Sequence, residues 1–76
     1  MPSTDQGANT LGGKIRVARR AAGLSQETLA EQLGVKQSSI SQWERGHTRP
    51  SLEHLVPLAM ALGTSLDVLL DATSEG

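Results

Sequence analysis

Residues 24–46 read LSQETLAEQLGVKQSSISQWERG, and this stretch contains two short helical patterns that follow each other directly. The spacing of its apolar residues predicts one helix over about Gln26–Leu33 and a second over about Gln37–Arg45. Only Gly34-Val35-Lys36 separates the two helices. Because such a short connection forces a steep crossing, the stretch predicts a helix-turn-helix unit at residues 26–45.

The rest of the chain also shows helical spacing, with glycines where helices should stop. Further helices are predicted at about 11–22, 52–62 and 66–71, with Ser51 as the N-cap of the fourth helix. Pro57 lies inside that helix and should kink or restart it. Short helices throughout, without any strand pattern, predict an all-α domain of five helices.

The length of 76 residues suits one small domain. We expect the folded domain to span residues 11–72, because residues 1–10 and 73–76 are polar and show no apolar period. These ends are predicted to be a disordered N-terminal tail and a flexible C-terminal tail. The same sequence fits a whole protein and one domain of a longer protein.

Composition and motifs exclude several classes of protein and site. The chain has no cysteine, so a disulfide framework and a thiolate metal site are both ruled out. No segment approaches the roughly 18 apolar residues of a membrane helix, and the N-terminus lacks a signal-peptide pattern. His47 and His54 have no other metal-ligating residue types at useful spacing. No nucleophile, paired-carboxylate or phosphate-loop pattern is present, so we expect no enzyme, no cofactor and no metal.

The charges are distributed unevenly along the chain, although the formal net charge is only −1. All seven basic residues lie between Lys14 and Arg49, and that span holds only three acidic residues. A chain of mixed sign can still present one positive face, which would suit a nucleic acid. The alternative is a set of ordinary solvated surface charges.

The helix predicted at 37–45 has one apolar and one polar side. At about 100° per residue, Ile40 and Trp43 lie together on the side that should face the core. Glutamine can bond the edge of adenine in bidentate fashion, and serine can bond several base edges. We therefore predict that base edges in the major groove are read by Gln37, Ser38, Ser41 and Gln42. The alternative is an ordinary amphipathic helix with a solvated side.

Cationic and polar residues lie at both ends of this helix. Phosphate contacts belong at the ends of a groove-bound helix, where the nucleic-acid backbone passes, and the start of a neighbouring helix can also meet a phosphate. We predict phosphate contacts from Gln26, Lys36, Arg45, His47, Thr48 and Arg49. For Arg49-Pro50 the alternative is simple loop chemistry.

Five stretches in combination carry a resemblance to a known family. They are LSQETLA at 24–30, LGV at 33–35, SISQWERG at 39–46, PSL at 50–52 and LAMALGTSL at 58–66. Together they resemble the phage-repressor and Cro-like helix-turn-helix family of xenobiotic response element-type regulators. The likeness covers about residues 11–70 and implies a compact, five-helix, lambda-repressor-like DNA-binding domain.

The resemblance also implies roles for individual residues. Arg19 and Glu44 resemble a partly buried ion pair that ties the first helix to the third, and Gln26 resembles a phosphate-contacting position. Lys36 departs from the family pattern, because many relatives have serine or threonine there and lysine cannot accept an N-cap bond. Structural positions of the motif would be Ala30, Gly34, Ile40 and Trp43.

A single recognition helix reads too few base pairs to select one site in a genome. We therefore predict a homodimer on an inverted-repeat operator, with half-sites about one DNA turn apart. Met60, Ala61 and Val68 are apolar, lie off the inward stripe of their helices and are predicted to form the dimer surface. The alternative is that they are isolated surface residues.

These predictions describe a cytoplasmic transcription regulator that binds double-stranded DNA, is associated with the nucleoid when bound, and has no membrane partner. Repression by occluding RNA polymerase is favoured, and activation by contacting RNA polymerase is the other outcome. A different class is a protein-interaction module of the same fold, of the antitoxin or scaffold kind. Its contact would be the acidic C-terminal part, with Glu53, Asp67, Asp71 and Glu75.

Overall fold

The computed structural model describes residues 10–74, with side chains described for residues 10–70. The predicted all-α fold is confirmed, because these residues form five α-helices and no strand. Residues 1–9 of the predicted N-terminal tail and 75–76 of the C-terminal tail lie outside the described residues. The helices are α1 (Leu11–Ala21), α2 (Gln26–Leu33), α3 (Gln37–Arg45), α4 (Leu52–Leu62) and α5 (Leu66–Ser74).

The last helix is longer than the sequence predicted. α5 continues to Ser74, whereas its predicted end was Asp71. Thr73 and Ser74 are therefore helical, although they were predicted to begin a flexible tail. No glycine or proline interrupts residues 66–74, so no residue in that stretch disfavours the helix strongly.

The turn between α2 and α3 depends on a glycine in the left-handed backbone conformation. Gly34 has a φ of 72°, which a residue with a side chain adopts only at a cost. Its N–H donates to the Glu31 carbonyl at 3.2 Å, and the Val35 N–H donates to the Ala30 carbonyl at 3.0 Å. These two bonds close α2 in a Schellman motif, so the chain can enter α3 immediately.

Every helix contributes to one small core. The largest fully buried side chains are one from each helix, namely Ile15, Leu29, Ile40, Leu58 and Leu69. Trp43 is also buried, and its ring centroid lies 5.6 Å from that of His54 on α4. The apolar side of α3 therefore faces the core as predicted, which leaves its polar side facing outward.

Pro57 does not restart α4. One helix runs without interruption from Leu52 to Leu62, so the expected restart is wrong. Proline lacks the N–H that would bond the Glu53 carbonyl four residues earlier. Pro57 and Glu53 are both exposed, so water can reach the side of the helix where that bond is missing.

Candidate nucleic-acid interface

The outer side of α3 is open to a ligand. Gln37, Ser38 and Gln42 are exposed, and Ser41 is half-buried. Ile40 and Trp43 lie on the opposite, buried side. The four residues predicted to read bases therefore share one accessible face, supported from behind by the core.

A buried ion pair joins α1 to α3. Arg19 Nε donates to Glu44 Oε2 at 2.6 Å, and Arg19 Nη2 donates to Glu44 Oε1 at 3.2 Å. The third nitrogen of the guanidinium, Nη1, donates to the carbonyl of Leu24 at 2.9 Å. A bidentate, charge-assisted contact of this kind is both strong and directional. It fixes the positions of α1, α3 and the loop that precedes α2 relative to one another.

Gln26 extends this network to the outer, polar face of α3. Its amide Nε2 donates to Glu44 Oε1 at 3.0 Å, and its Oε1 accepts a longer contact of 3.5 Å from Gln37 Nε2. Gln37 is thereby connected through Gln26 to the buried carboxylate. The sequence predicted Gln26 as a phosphate contact and did not predict these bonds, because they join residues from two different helices, α2 and α3.

The residues predicted to contact phosphates lie in two groups around α3. Lys36 precedes the helix, and Arg45, His47, Thr48 and Arg49 end it or follow it; all five are exposed. Gly46 ends the helix with a φ of 81°, and the His47 N–H donates to the Gln42 carbonyl at 2.9 Å. The loop after α3 is therefore anchored to the helix, while its side chains remain accessible.

A cleft of about 230 Å³ opens beside the buried ion pair. Gln26, Ser41 and Arg45 line part of it, so it continues the predicted interface. Arg16 and Arg20 of α1 line it too, and no role was predicted for them from the sequence. Their spacing of four residues, which places both on one face of a helix, was the signal that could have identified them.

The described residues form neither a metal site nor a membrane-spanning segment. No group of three or more histidine, cysteine, aspartate or glutamate side chains there could hold a metal ion. None of the helices in that part of the chain combines the length and the apolar character that crossing a membrane requires.

Comparison with known proteins defines the class. A family model described as helix-turn-helix matches residues 15–69, which is more than half of the chain. The chain therefore belongs to this helix-turn-helix family, and the resemblance seen in the sequence is confirmed.

Individual relatives are phage and bacterial regulators. The chain is 42% identical over 60 residues to repressor protein C2 of Salmonella phage P22, a match that covers 79% of this chain and 28% of C2. It is 36% identical over 66 residues to an uncharacterized transcriptional regulator in the ATPase CF(0) region of Rhodospirillum rubrum, covering 87% of this chain and 61% of that protein. The chain thus spans less than two thirds of the length of these relatives.

A solved structure shares the fold. The crystal structure of the P22 c2 repressor in complex with the synthetic operator 9T in the presence of Tl⁺ superimposes with a TM-score of 0.79 at 40% identity. The superposition covers 83% of this chain and 96% of the repressor chain in that structure. The five-helix arrangement described above is therefore that of a repressor solved on its operator.

Proposed function

We propose that this chain is a transcription regulator that binds double-stranded DNA in a sequence-specific manner and is not an enzyme. The observation that carries the proposal is the polar, accessible face of α3 on a helix whose other side is buried in the core. Relatives named as a repressor and as transcriptional regulators support it, as does the likeness to a repressor in complex with an operator. We place its action in the cytoplasm, with nucleoid association when bound, and favour repression by occlusion of RNA polymerase.

The proposed contacts divide into two kinds. Gln37 and Gln42 are exposed amides, and each can bond an adenine edge in bidentate fashion, while Ser38 and Ser41 add single bonds. Phosphate contacts come from the residues around the ends of α3 and position the helix without reading sequence. We assign that second role to Gln26, Lys36, Arg45, His47, Thr48 and Arg49.

Selection of DNA from a random pool tests the proposal. We expect the wild type to enrich an inverted repeat, and its affinity for that site to fall steeply as salt rises. Gln37→Ala/Gln42→Ala should weaken binding to the enriched site by at least about 30-fold, because each lost bidentate contact removes about 1–3 kcal/mol of discrimination. Titration of labelled DNA by fluorescence anisotropy measures both quantities.

The matched control is Gln32→Ala, which removes an exposed glutamine from α2 and leaves the α3 face intact. It should bind the selected DNA as the wild type does. Failure of the wild type to enrich any sequence would overturn the proposed function. That result would favour the protein-interaction module instead, with Glu53, Asp67, Asp71 and Glu75 as the region to test.

We further propose that the chain acts as a homodimer through α4 and α5. Met60 is 76% exposed and Val68 is 49% exposed, and the apolar Leu52 and Val56 are exposed on α4 as well. Ala61 is half-buried and packs against the core, so it contributes less of this surface than Met60 and Val68 do. Exposed apolar side chains concentrated on neighbouring helices suit an isologous contact, in which each residue is used twice.

Met60→Ser/Val68→Ser should weaken self-association by at least about tenfold, because full burial of an apolar side chain is worth about 1.5–3 kcal/mol and each is lost from both protomers. Sedimentation equilibrium measures the dissociation constant. Val17→Ser, which changes an exposed valine on α1, is the control and should leave association unchanged. Equal association of all three proteins would show that the dimer forms elsewhere.

A further inference from the structure

The cleft between α1, α2 and α3 holds more positive charge than the buried Arg19–Glu44–Gln26 network neutralises. Four arginines and one glutamate line it, which is a formal charge of +3. Both oxygens of the Glu44 carboxylate are already occupied by Arg19 and Gln26. Within the described part of the chain, the guanidinium groups of the other three arginines have no hydrogen-bond or ion-pair partner; they are Arg16, Arg20 and Arg45.

These three arginines are brought together by the packing of two helices. Arg16 and Arg20 lie four residues apart on α1, and Arg45 is the last residue of α3. Like charges at this helical spacing repel each other and destabilise a helix slightly. Since no carboxylate of the described residues forms an ion pair with any of these three arginines, the arrangement favours an anion from outside the chain.

The position of the cleft indicates which kind of anion would bind there. Its lining includes Gln26, a proposed phosphate contact, and Ser41, a proposed base-reading residue. It therefore opens at the edge of the face that the proposed function places against DNA. Its volume of about 230 Å³ is many times the roughly 10–15 Å³ that a cavity needs to hold one water molecule, so a phosphate group has room to enter.

We propose that Arg16 and Arg20, together with Arg45, bind phosphates of the DNA backbone and extend the DNA interface from the helix-turn-helix unit onto α1. This inference rests on the proposed function. The planar guanidinium presents paired N–H donors that match two phosphate oxygens, and it remains charged at any pH the protein meets. The Arg19–Glu44 pair holds α1 in the position that the contact requires.

Single variants Arg16→Ala and Arg20→Ala test the inference on the full chain, with the DNA that the wild type selects. Each should bind about tenfold more weakly at fixed salt, because a charge-assisted bond is lost. Each should also reduce the slope of log K against log salt by about 0.9, the value for one phosphate contact. The preferred sequence should stay the same, since phosphates carry no base information.

The matched control is Lys14→Ala, which removes one positive charge from the same helix at a position outside the cleft lining. It should change affinity by less than about threefold and leave the salt slope unchanged, because a charge that contacts no phosphate releases no counterion. Unfolding in urea should show no loss of stability for any of the three variants, since none of them alters the buried network; Arg16→Ala and Arg20→Ala should at most gain slightly, because each relieves the repulsion between those two arginines.

The outcomes separate the inference from the function on which it rests. If the wild type selects an operator and Arg16→Ala and Arg20→Ala bind it normally, the cleft assignment alone is overturned. An equal loss with Lys14→Ala also overturns it, since the effect is then one of general charge. Saturable binding of inorganic phosphate that these variants abolish, with normal DNA binding, would identify a free-anion site instead. If the wild type selects no sequence, the proposed function and this inference both fail.

Discussion

Glu44→Ala is expected to lower the free energy of unfolding by about 3–5 kcal/mol, because it removes one partner of a buried ion pair. Arg19 is only 8% exposed, and its guanidinium would remain charged without the carboxylate that now bonds two of its nitrogens. Gln26 would lose its acceptor as well. A small domain is stable by only about 5–15 kcal/mol, so this loss is a large share of the total stability.

Urea unfolding followed by the fluorescence of Trp43 measures this loss, because that residue is buried and is the single tryptophan of the chain. Glu31→Ala removes an exposed carboxylate from α2 and should cost less than about 0.5 kcal/mol. Arg19→Met/Glu44→Leu replaces both charges by apolar side chains and should recover most of the stability. A loss below about 1 kcal/mol for Glu44→Ala would show that the pair is not the main connection between α1 and α3.

The second large effect is expected at Gly12, where α1 passes very close to the backbone of α3. A β-carbon added at Gly12 would clash with the carbonyl oxygen of Trp43 and would lie 2.6 Å from that of Glu44. Backbone atoms cannot rotate away as the end of a side chain can. Gly12→Ala should therefore force the two helices apart and cost about 3 kcal/mol or more, the upper end for overpacking.

Helix propensity predicts the opposite sign for this substitution. Alanine in a helix is favoured over glycine by up to about 1 kcal/mol, so a stabilised Gly12→Ala variant would show that the helices do not approach so closely. Gly34→Ala is a useful comparison, because no atom beyond its chain neighbours lies within 4 Å of the added carbon and only the φ of +72° is strained. It should cost about 1–2 kcal/mol. Urea unfolding of the wild type, Gly12→Ala and Gly34→Ala measures their free energies of unfolding and so ranks them.

Glu44→Ala and Gly12→Ala also bear on the proposed interface. Gly12 and Arg19 hold α1 against α3, and α1 carries Arg16 and Arg20 at the edge of the polar face of α3. A folded variant with a displaced α1 should therefore lose DNA affinity with little change in the preferred sequence. The same titrations that test the arginine cleft would detect this.

Much of the fold follows from local rules that act within one helix or one turn. The bounds of α2 and α3 match those predicted from apolar spacing and from Gly34 and Gly46, because periodicity and left-handed glycines are properties of consecutive residues. The polar face of α3 could be recognised for the same reason. Pro57 shows the limit of such rules, since its cost depends on whether water reaches that side of the helix.

The sequence by itself determined that this chain is an all-α, helix-turn-helix domain with Gln37, Ser38, Ser41 and Gln42 on one face, since these features depend on residues close together in the chain. Only the tertiary structure decided how that face is supported and bordered. The bonds of Gln26 to Glu44 and Gln37, the approach of Gly12 to the α3 backbone, and the cleft with Arg16 and Arg20 all join separate helices. The angle and distance at which those helices pack depend on the whole core, and local spacing does not specify them.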